Sequence, residues 1–501
     1  MASLDVADAV RLLPQAEVRG AGRGAIASLT CDSRTVVPGS LFAAIPGALT
    51  DGHRFVGDAV AAGAVAVLME REPAVPIPEG TTTVRVPDAR RALARLAGAY
   101  YGEPSRALRI VGVTGTNGKT TVTYLLEAML GRAGESVGVI GTTGVRLSGR
   151  SRPSTHTTPD GPELQRTLAQ MRDAGVDTAV VEISSHALAQ GRAVGTHLDV
   201  AAFVNLTRDH LDFHGEMDTY FEAKRRIVTE LLTESSKPRR TLVVNLDDAR
   251  AADLARDWSP VTTTSAIAGS DAVVRPRELE IDLDGIRGEL VTPAGPIPLR
   301  SSLVGHFNVC NIAVAVGIAL ALGVDPAAIA AGLRALRRVP GRLEPVMVAE
   351  GGTGPRVLVD YAHTPDALAS VLAALRPLVP GQIWTVFGCG GDRDQGKRPL
   401  MGQVAAGGSN QLVVTSDNPR GEDPQAIIDQ ILVGVAPVGT PHRTEVDRRA
   451  AIGAALAAAG PQDLVLIAGK GHEQVQVIGD SSRPFDDREV AREAILAGEA
   501  R

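Results

Sequence analysis

Cysteine is scarce in this chain. Cys31, Cys310 and Cys389 are its three cysteines, and they form neither a CxxC pair nor an even disulfide set. That excludes a disulfide-stapled scaffold and a cysteine-rich zinc site, and it fits a reducing cytoplasm. Aromatic residues make up only 3% of the chain, so its cores must be built from Ala, Val and Leu. Long apolar runs are missing too. The longest, Ile312 to Leu322, is about half a membrane span and predicts a buried helix. Residues Met1 to Val6 lack the basic and apolar regions of a signal peptide. Positive charge is not in excess, and a net charge of −6 argues against general nucleic-acid or anionic-membrane binding. A cytoplasmic protein with neither nucleic acid nor membrane as partner is expected. Any polyanionic substrate must then be met by local cations.

What is present begins with residues 112–121, GVTGTNGKTT. They follow the apolar run Leu108-Arg109-Ile110-Val111 and precede an amphipathic helical pattern, which is the strand, turn and helix that a nucleotide phosphate requires. Gly115 and Gly118 let backbone N–H groups of the loop, including Thr116, Asn117 and Thr121, close around an anion. Lys119 can reach the β- and γ-phosphates of ATP, and the Thr120 hydroxyl can hold Mg²⁺. The loop departs from the generic G-x-x-x-x-G-K-[ST] pattern, because Val113 stands where its first glycine would be.

At 501 residues the chain is too long for one core, and about three domains are expected. The first hundred or so residues alternate short strand-like and helical patterns and close at the turn Gly102-Glu103-Pro104-Ser105. From about 108 to 340, near-continuous apolar strands recur between helices, as in Val137 to Ile140, Thr178 to Glu182, Ala201 to Asn205 and Thr241 to Asn245. This predicts a parallel sheet covered on both faces. Arg277 to Leu299 alternates more strictly and predicts an antiparallel appendage. A second series starts near 342, with strands at Val357 to Asp360, Ile383 to Phe387, Gln411 to Thr415 and Leu464 to Ala468.

Ligands of open α/β sheets bind beyond the carboxyl ends of strands, so the polar motifs there are the candidates for chemistry. Glu182 ends one strand, and a buried carboxylate needs a partner. The next strand leads into 205–212, which contains His210. Both can supply Mg²⁺ ligands beside the phosphate loop; the plain alternatives are a helix-capping Glu182 and a surface His210. Asp360 to Asp366 is either a site or turn chemistry from Pro365. Arg393, in a glycine-rich loop, is either a carboxylate clamp or part of a flexible connection. Asp417-Asn418-Pro419-Arg420 and Gly469 to Glu473 leave two further strand ends, with Glu473 able to receive an ammonium group. Lys237-Pro238-Arg239-Arg240 reads as a solvated loop without a role. No Ser/His/Asp or Cys/His nucleophile pattern stands out. An ATP site flanked by cation and anion clamps suits a ligase that activates a carboxylate and presents an amine to it.

The motifs TGTNGKTT (114–121), EISSHAL (182–188), NLTRDHLDFHG (205–215), HFNVCN (306–311), DYAHTPDAL (360–368), GCGGDRD (388–394) and AGKGHE (468–473), in this order, resemble the Mur ligase superfamily over essentially the whole chain. Val113 in the phosphate loop is how that family looks. The resemblance implies an α/β protein of three domains: a UDP-precursor-binding domain at 1–107, a central phosphate-loop ATPase with a doubly wound, mostly parallel sheet at 108–341, and a Rossmann-like, amino-acid-binding domain at 342–501.

The same resemblance implies site residues. Ser33 would contact the uridine diphosphate, and Thr157, Thr158, Ser184, Gln190 and Arg192 would hold the muramoyl dipeptide. Lys224 matches the family's carbamylated lysine, a ligand for a second Mg²⁺ that sequence alone reads as a helix-surface lysine. Asn308 and Arg342 would lie near ATP, and Asp360 near its ribose. Lys119, Lys224 and His210 would be catalytic. Arg393, Asp417, Asn418, Pro419, Arg420, Gly469 and Glu473 match members that add diaminopimelate; lysine-adding relatives lack the arginine at the position of Arg420. The implied reaction joins diaminopimelate to the D-glutamate γ-carboxylate of UDP-N-acetylmuramoyl-L-Ala-D-Glu through an acyl phosphate, in a monomeric enzyme. Lysine addition and a non-catalytic nucleotide-binding regulator are the alternatives.

Overall fold

The protein is described from a computed structural model that covers residues 4–499 apart from 48, 49, 75, 148, 155 and 347–353. Strands β1 (Glu17–Arg19), β2 (Ser28–Thr30), β3 (Ser40–Ala44), β4 (Ala66–Met69) and β5 (Thr82–Arg85) make the first sheet, ordered β1-β5-β4-β3-β2. Its strands are parallel except for β1 at the edge.

The central sheet contains β6 (Arg109–Thr114), β7 (Val137–Gly141), β8 (Gly144–Leu147), β9 (Arg150–Arg152), β10 (Thr178–Glu182), β11 (Val200–Phe203), β12 (Thr241–Asn245) and β13 (Val261–Thr264). Their order is β13-β12-β11-β6-β10-β7-β8-β9. The strands from β13 through β7 are parallel, while β8 and β9 add an antiparallel edge. Apolar residues on both faces of β6, β10 and β11 explain the parallel pairing, because helices cover both sides. The chain leaves β6 in the middle and winds both ways, so the crevice beyond its carboxyl end is the topological switch point.

The helix Phe307–Ala321 is the buried helix that the run 312–322 predicts. It packs with the helix Lys119–Arg132 in one apolar cluster, where each fully buried Val, Leu or Ile contributes about 1.5–3 kcal/mol. The helix Pro326–Ala335 crosses the same element so closely that a Cβ on Gly332 would lie 2.5 Å from Met129 Cα. The expected antiparallel appendage is β14 (Arg275–Asp282), β15 (Gly285–Val291) and β16 (Ile297–Ser301).

The last large sheet holds β17 (Glu344–Pro345), β18 (Arg356–Asp360), β19 (Ile383–Phe387), β20 (Gln411–Thr415), β21 (His442–Glu445) and β22 (Leu464–Ala468), ordered β17-β18-β22-β19-β20-β21. All but β17 run parallel. A hairpin, β23 (Val475–Ile478) with β24 (Ser481–Pro484), follows. Among the described residues no helix is long and apolar enough to cross a membrane.

One sequence expectation holds only in part. The 237–240 run is a loop with Pro238 and Arg239 exposed, but Lys237 is buried, and its ammonium donates to the carbonyls of Leu108 and Arg106 and pairs with Asp199 at 3.2 Å. Asp199 in turn accepts from Ile110 N at 2.8 Å. The KPRR run looked solvent-facing because charge pattern alone cannot show that a strand entrance offers unpaired carbonyls.

Candidate active site

The phosphate loop lies between β6 and the helix Lys119–Arg132. Val113 is fully buried within β6, paired with Glu182 of β10 on one side and Ala202 of β11 on the other. Its position is strand interior and needs no glycine. The close approach falls one residue earlier, where a Cβ on Gly112 would meet Ile183 Cδ1 at 2.9 Å and Leu198 Cδ1 at 3.0 Å. Gly118 has φ +85°, and a Cβ there would sit 2.1 Å from Asn311 Oδ1. The glycine is therefore required twice, by its backbone conformation and by its neighbour.

Asn311 Nδ2 donates to Asn308 Oδ1 at 2.9 Å, and Asn308 Nδ2 donates to Val304 O at 2.8 Å. This pair supports the loop from the helix Phe307–Ala321. On the opposite side, Thr116 N donates to Asn205 O at 3.0 Å and Asn117 N to Asn205 Oδ1 at 2.9 Å. The Lys119 ammonium donates to Gly115 O at 2.8 Å and Thr116 O at 3.0 Å. Burial lowers the pKa of this lysine, the Glu182 charge opposes that shift, and the Arg342 charge adds to it. Arg342 thus acts on the phosphate loop from beyond the central sheet, with its guanidinium 4.9 Å from the Tyr361 ring centroid.

Glu182 is fully buried at the end of β10. Its Oε2 accepts from the Thr120 hydroxyl at 3.1 Å and the Thr142 hydroxyl at 2.9 Å, and its Oε1 accepts from Thr142 N at 3.2 Å. Among the described residues it has no cation within ion-pair distance. A buried anionic oxygen beside a threonine hydroxyl is a donor set for a hard divalent cation, which binds few protein ligands and keeps waters and phosphate oxygens. No cluster of three or more His, Cys, Asp or Glu side chains forms a metal cage among the described residues.

Lys224 lies on the helix Met217–Arg226 and is buried, with its ammonium 4.6 Å from the Tyr220 ring centroid. Burial drives its pKa well below the ordinary lysine range, and Lys119 repels it further. A neutral amine is a nucleophile for CO₂, so the environment suits carbamylation. Tyr220, which no motif marks, is fully buried and bonds Thr116 Oγ1 at 3.0 Å. His210 has φ +54° and stands 3.3 Å from Asp209 Oδ2. Its ring packs edge-on against His186 at 4.8 Å, and burial lowers its pKa, as does the charge on Lys119. His186 and His214, pushed down to about 4 by burial, are neutral neighbours.

Thr157, Thr158, Ser184, Gln190 and Arg192 come together along the adjoining crevice. Thr158 Oγ1 donates to Glu182 O at 2.8 Å and accepts from Ser184 N at 3.0 Å. Arg192 donates to Thr158 O at 3.0 Å and Gln190 Oε1 at 2.9 Å, while Thr157 Oγ1 shares a bond with Thr142 Oγ1 at 3.1 Å. Ser33 belongs to another element, the 3-10 turn Ser33–Thr35 capped by Asp32, and no hydrogen bond joins it to this group.

Asp360 does not point into open space. Its carboxylate accepts from Leu343 N at 2.7 Å and Ala362 N at 2.8 Å, which clips the segment after residue 340 to the end of β18. Burial raises its pKa. The remaining candidates gather beyond β19, β20 and β22. Arg393 and Arg420 flank Gly390, whose Cβ would lie 3.7 Å from Arg393 Cγ and 2.9 Å from Arg420 Nη1. Neither arginine has a carboxylate partner within ion-pair distance among the described residues. Asn418 Nδ2 donates to Glu473 Oε2 at 2.8 Å. Lys470, fully buried within the 469–473 strand-end motif, donates to Asn418 Oδ1 at 3.1 Å and Glu473 Oε2 at 3.2 Å. Gly469, at φ +112°, leaves room for Asp417, whose Oδ2 would stand 2.6 Å from a Cβ, and Pro419 is buried beside them. Burial pushes the Cys389 thiol in this region up to about 12, so it is no nucleophile.

Three family models match the chain: Mur ligase family, catalytic domain, over residues 25–101; Mur ligase middle domain over 113–319; and Mur ligase, glutamate ligase domain over 341–471. A relative from Geobacter metallireducens, named UDP-N-acetylmuramoyl-L-alanyl-D-glutamate--2,6-diaminopimelate ligase, is 47% identical over 96% of this chain and 96% of its own. A solved structure of an enzyme with that name is 34% identical, with a TM-score of 0.70 over 99% of this chain and 100% of its own. The MurF ligase of Thermotoga maritima, solved in complex with ADP, shares the fold at 20% identity, with a TM-score of 0.58 over 94% of this chain and 96% of its own.

Proposed function

The chain belongs to the Mur ligase family and is an ATP-dependent ligase of peptidoglycan synthesis, and from that premise we propose that it joins 2,6-diaminopimelate to UDP-N-acetylmuramoyl-L-alanyl-D-glutamate. The observation that carries the choice of amino acid is the pair Arg393 and Arg420, two guanidiniums without carboxylate partners among the described residues, beside the carboxylates of Asp417 and Glu473. Diaminopimelate has a distal carboxylate and ammonium for this arrangement. Lysine lacks the carboxylate and would leave an arginine unpaired.

The γ-carboxylate of the D-glutamate attacks the γ-phosphorus of ATP; ADP leaves and an acyl phosphate remains. A deprotonated amine of diaminopimelate attacks the acyl carbon, phosphate departs with the electron pair of the broken C–O bond, and the nitrogen releases a proton to solvent as the amide forms. Lys119 and the loop N–H groups hold the phosphates and meet the negative charge that develops on them. Thr120 and Glu182 would hold Mg²⁺, with Lys224 as its carbamate and His210 at a second ion; Mg²⁺ supplies charge neutralisation at the phosphates. Asn308 supports the loop, while Arg342 and Asp360 shape the nucleotide end of the crevice. Thr157, Thr158, Ser184, Gln190 and Arg192 hold the dipeptide arm, and Ser33 the uridine diphosphate.

We place the domain boundaries at 107/108 and 341/342, and take the enzyme to be a cytoplasmic monomer. The test is phosphate release from ATP with the UDP-muramoyl dipeptide and either diaminopimelate or lysine. Turnover with diaminopimelate is expected, and a preference for lysine would overturn the assignment.

A further inference from the structure

The two arginines, which lack a carboxylate partner among the described residues, sit on different loops, 388–394 after β19 and 416–422 after β20. Each loop carries a non-glycine residue in the left-handed region, Asp392 at φ 52° and Arg420 at φ 50°. Such conformations persist only where the surroundings hold them.

Arg420 is held through its backbone by the hairpin, its N donating to Val477 O at 3.1 Å and its O accepting from Gly479 N at 2.6 Å, while Glu422 holds the loop of Asp392. Glu422 Oε1 accepts from Asp392 N at 2.6 Å and Arg398 Nη2 at 2.8 Å, and its Oε2 accepts from Arg398 Nη1 at 2.8 Å. Arg398 is fully buried and reaches back to Gly390 O at 3.2 Å, so one ion pair grips both loops. Three further hydrogen bonds complete the clip. Gly421 N donates to Asp392 Oδ2 at 3.0 Å, Gly391 N donates to Asn418 O at 2.9 Å, and Arg420 Nη1 donates to Gly391 O at 2.8 Å.

We propose that Glu422, seated on Arg398, is a positioning residue that sets amino-acid specificity. It fixes the register of the two loops so that Arg393 and Arg420 converge on one distal carboxylate of the incoming amino acid. The inference rests on the amino-acid site assigned above. Its physical basis is that a planar fork rewards a carboxylate only over a narrow range of angle and spacing. A loop released from the clip keeps both cations but loses their convergence, and misplacement of about 1 Å is enough to cost roughly a hundredfold.

The experiment compares the wild type with Glu422→Gln and Glu422→Asp, measuring KM for diaminopimelate, KM for ATP and relative turnover of lysine. Thermal unfolding and ADP binding report whether each variant is folded. The expected result for Glu422→Gln is a KM for diaminopimelate raised about ten- to a hundredfold, an ATP KM within about twofold of wild type, and weaker discrimination against lysine. Glu422→Asp, which keeps the charge on Arg398, should recover part of the KM. Unchanged KM for diaminopimelate in folded Glu422→Gln, or equal rises for both substrates, would overturn the inference. A wild type inactive with diaminopimelate but active with another amino acid would overturn only the choice of substrate. The KM for that amino acid in the variants would then decide the role of Glu422.

Discussion

Thr120 Oγ1 stands 3.1 Å from Glu182 Oε2, joining the first turn of the phosphate-loop helix to the end of the neighbouring strand. The hydroxyl and carboxylate come from positions 62 residues apart, and β6 and β10 pair in a register that sets Glu182 opposite Val113. The contact sets a buried carboxylate against the first turn of the phosphate-loop helix.

Glu182→Gln keeps the shape and removes the charge. Phosphate release should fall about 10²- to 10³-fold, and the Mg²⁺ concentration for half-maximal rate should rise. ADP binding measured in chelator should change little. A wild-type Mg²⁺ dependence in this variant would show that Glu182 is only a support for Thr142.

Lys224→Ala should nearly abolish turnover, and the wild type should slow when dissolved CO₂ and bicarbonate are removed. Burial and repulsion from Lys119 favour the neutral amine that carbamylation needs. Turnover of Lys224→Ala at the wild-type rate would make the lysine a packing residue. A rate assay in degassed and bicarbonate-supplemented buffer checks both outcomes.

Arg420→Ala should raise KM for diaminopimelate by about a hundredfold while leaving KM for ATP near wild type, since a charge-assisted fork is removed from one substrate only. Equal loss toward both substrates would place Arg420 in the loop scaffold instead.

Acid stability should depend on Glu422. Hydrogen bonds from the buried Arg398 hold its carboxyl down to about 2, from an ordinary 4.5. The folded pKa lies below the unfolded one, so the stabilisation is complete above pH 4.5 and is lost as pH falls toward 2. The urea midpoint of the wild type should therefore drop more steeply over that range than that of Glu422→Gln. Parallel pH profiles for the two proteins would contradict the ion pair's contribution.

Much of the site was legible because its residues follow strand ends. Glu182, Asp360, Asp417 and Gly469 each come at or just after an apolar run, and an open α/β sheet gathers such positions at one edge. Lys224 shows the limit: its neighbours on the helix read as surface, and only packing against Tyr220 reveals a buried amine. Lys237 reads as solvated for the same reason. Asn311 lay within a recognisable motif, yet its task of filling the space beside Gly118 depends on a helix that begins almost 190 residues later. Tyr220 and the Glu422–Arg398 pair gave no local signal at all, and Lys470, inside a recognisable motif, gave none of its burial.

The sequence alone determined the phosphate loop, the order of strands and helices, the antiparallel appendage and the family resemblance, since these rest on short-range pattern: apolar period, glycine placement and motif spacing. Tertiary structure decided which charges are buried, which arginines lack a carboxylate partner among the described residues and which loops are clipped together. Those properties depend on desolvation and on distances between segments far apart in the chain, and a linear pattern carries neither.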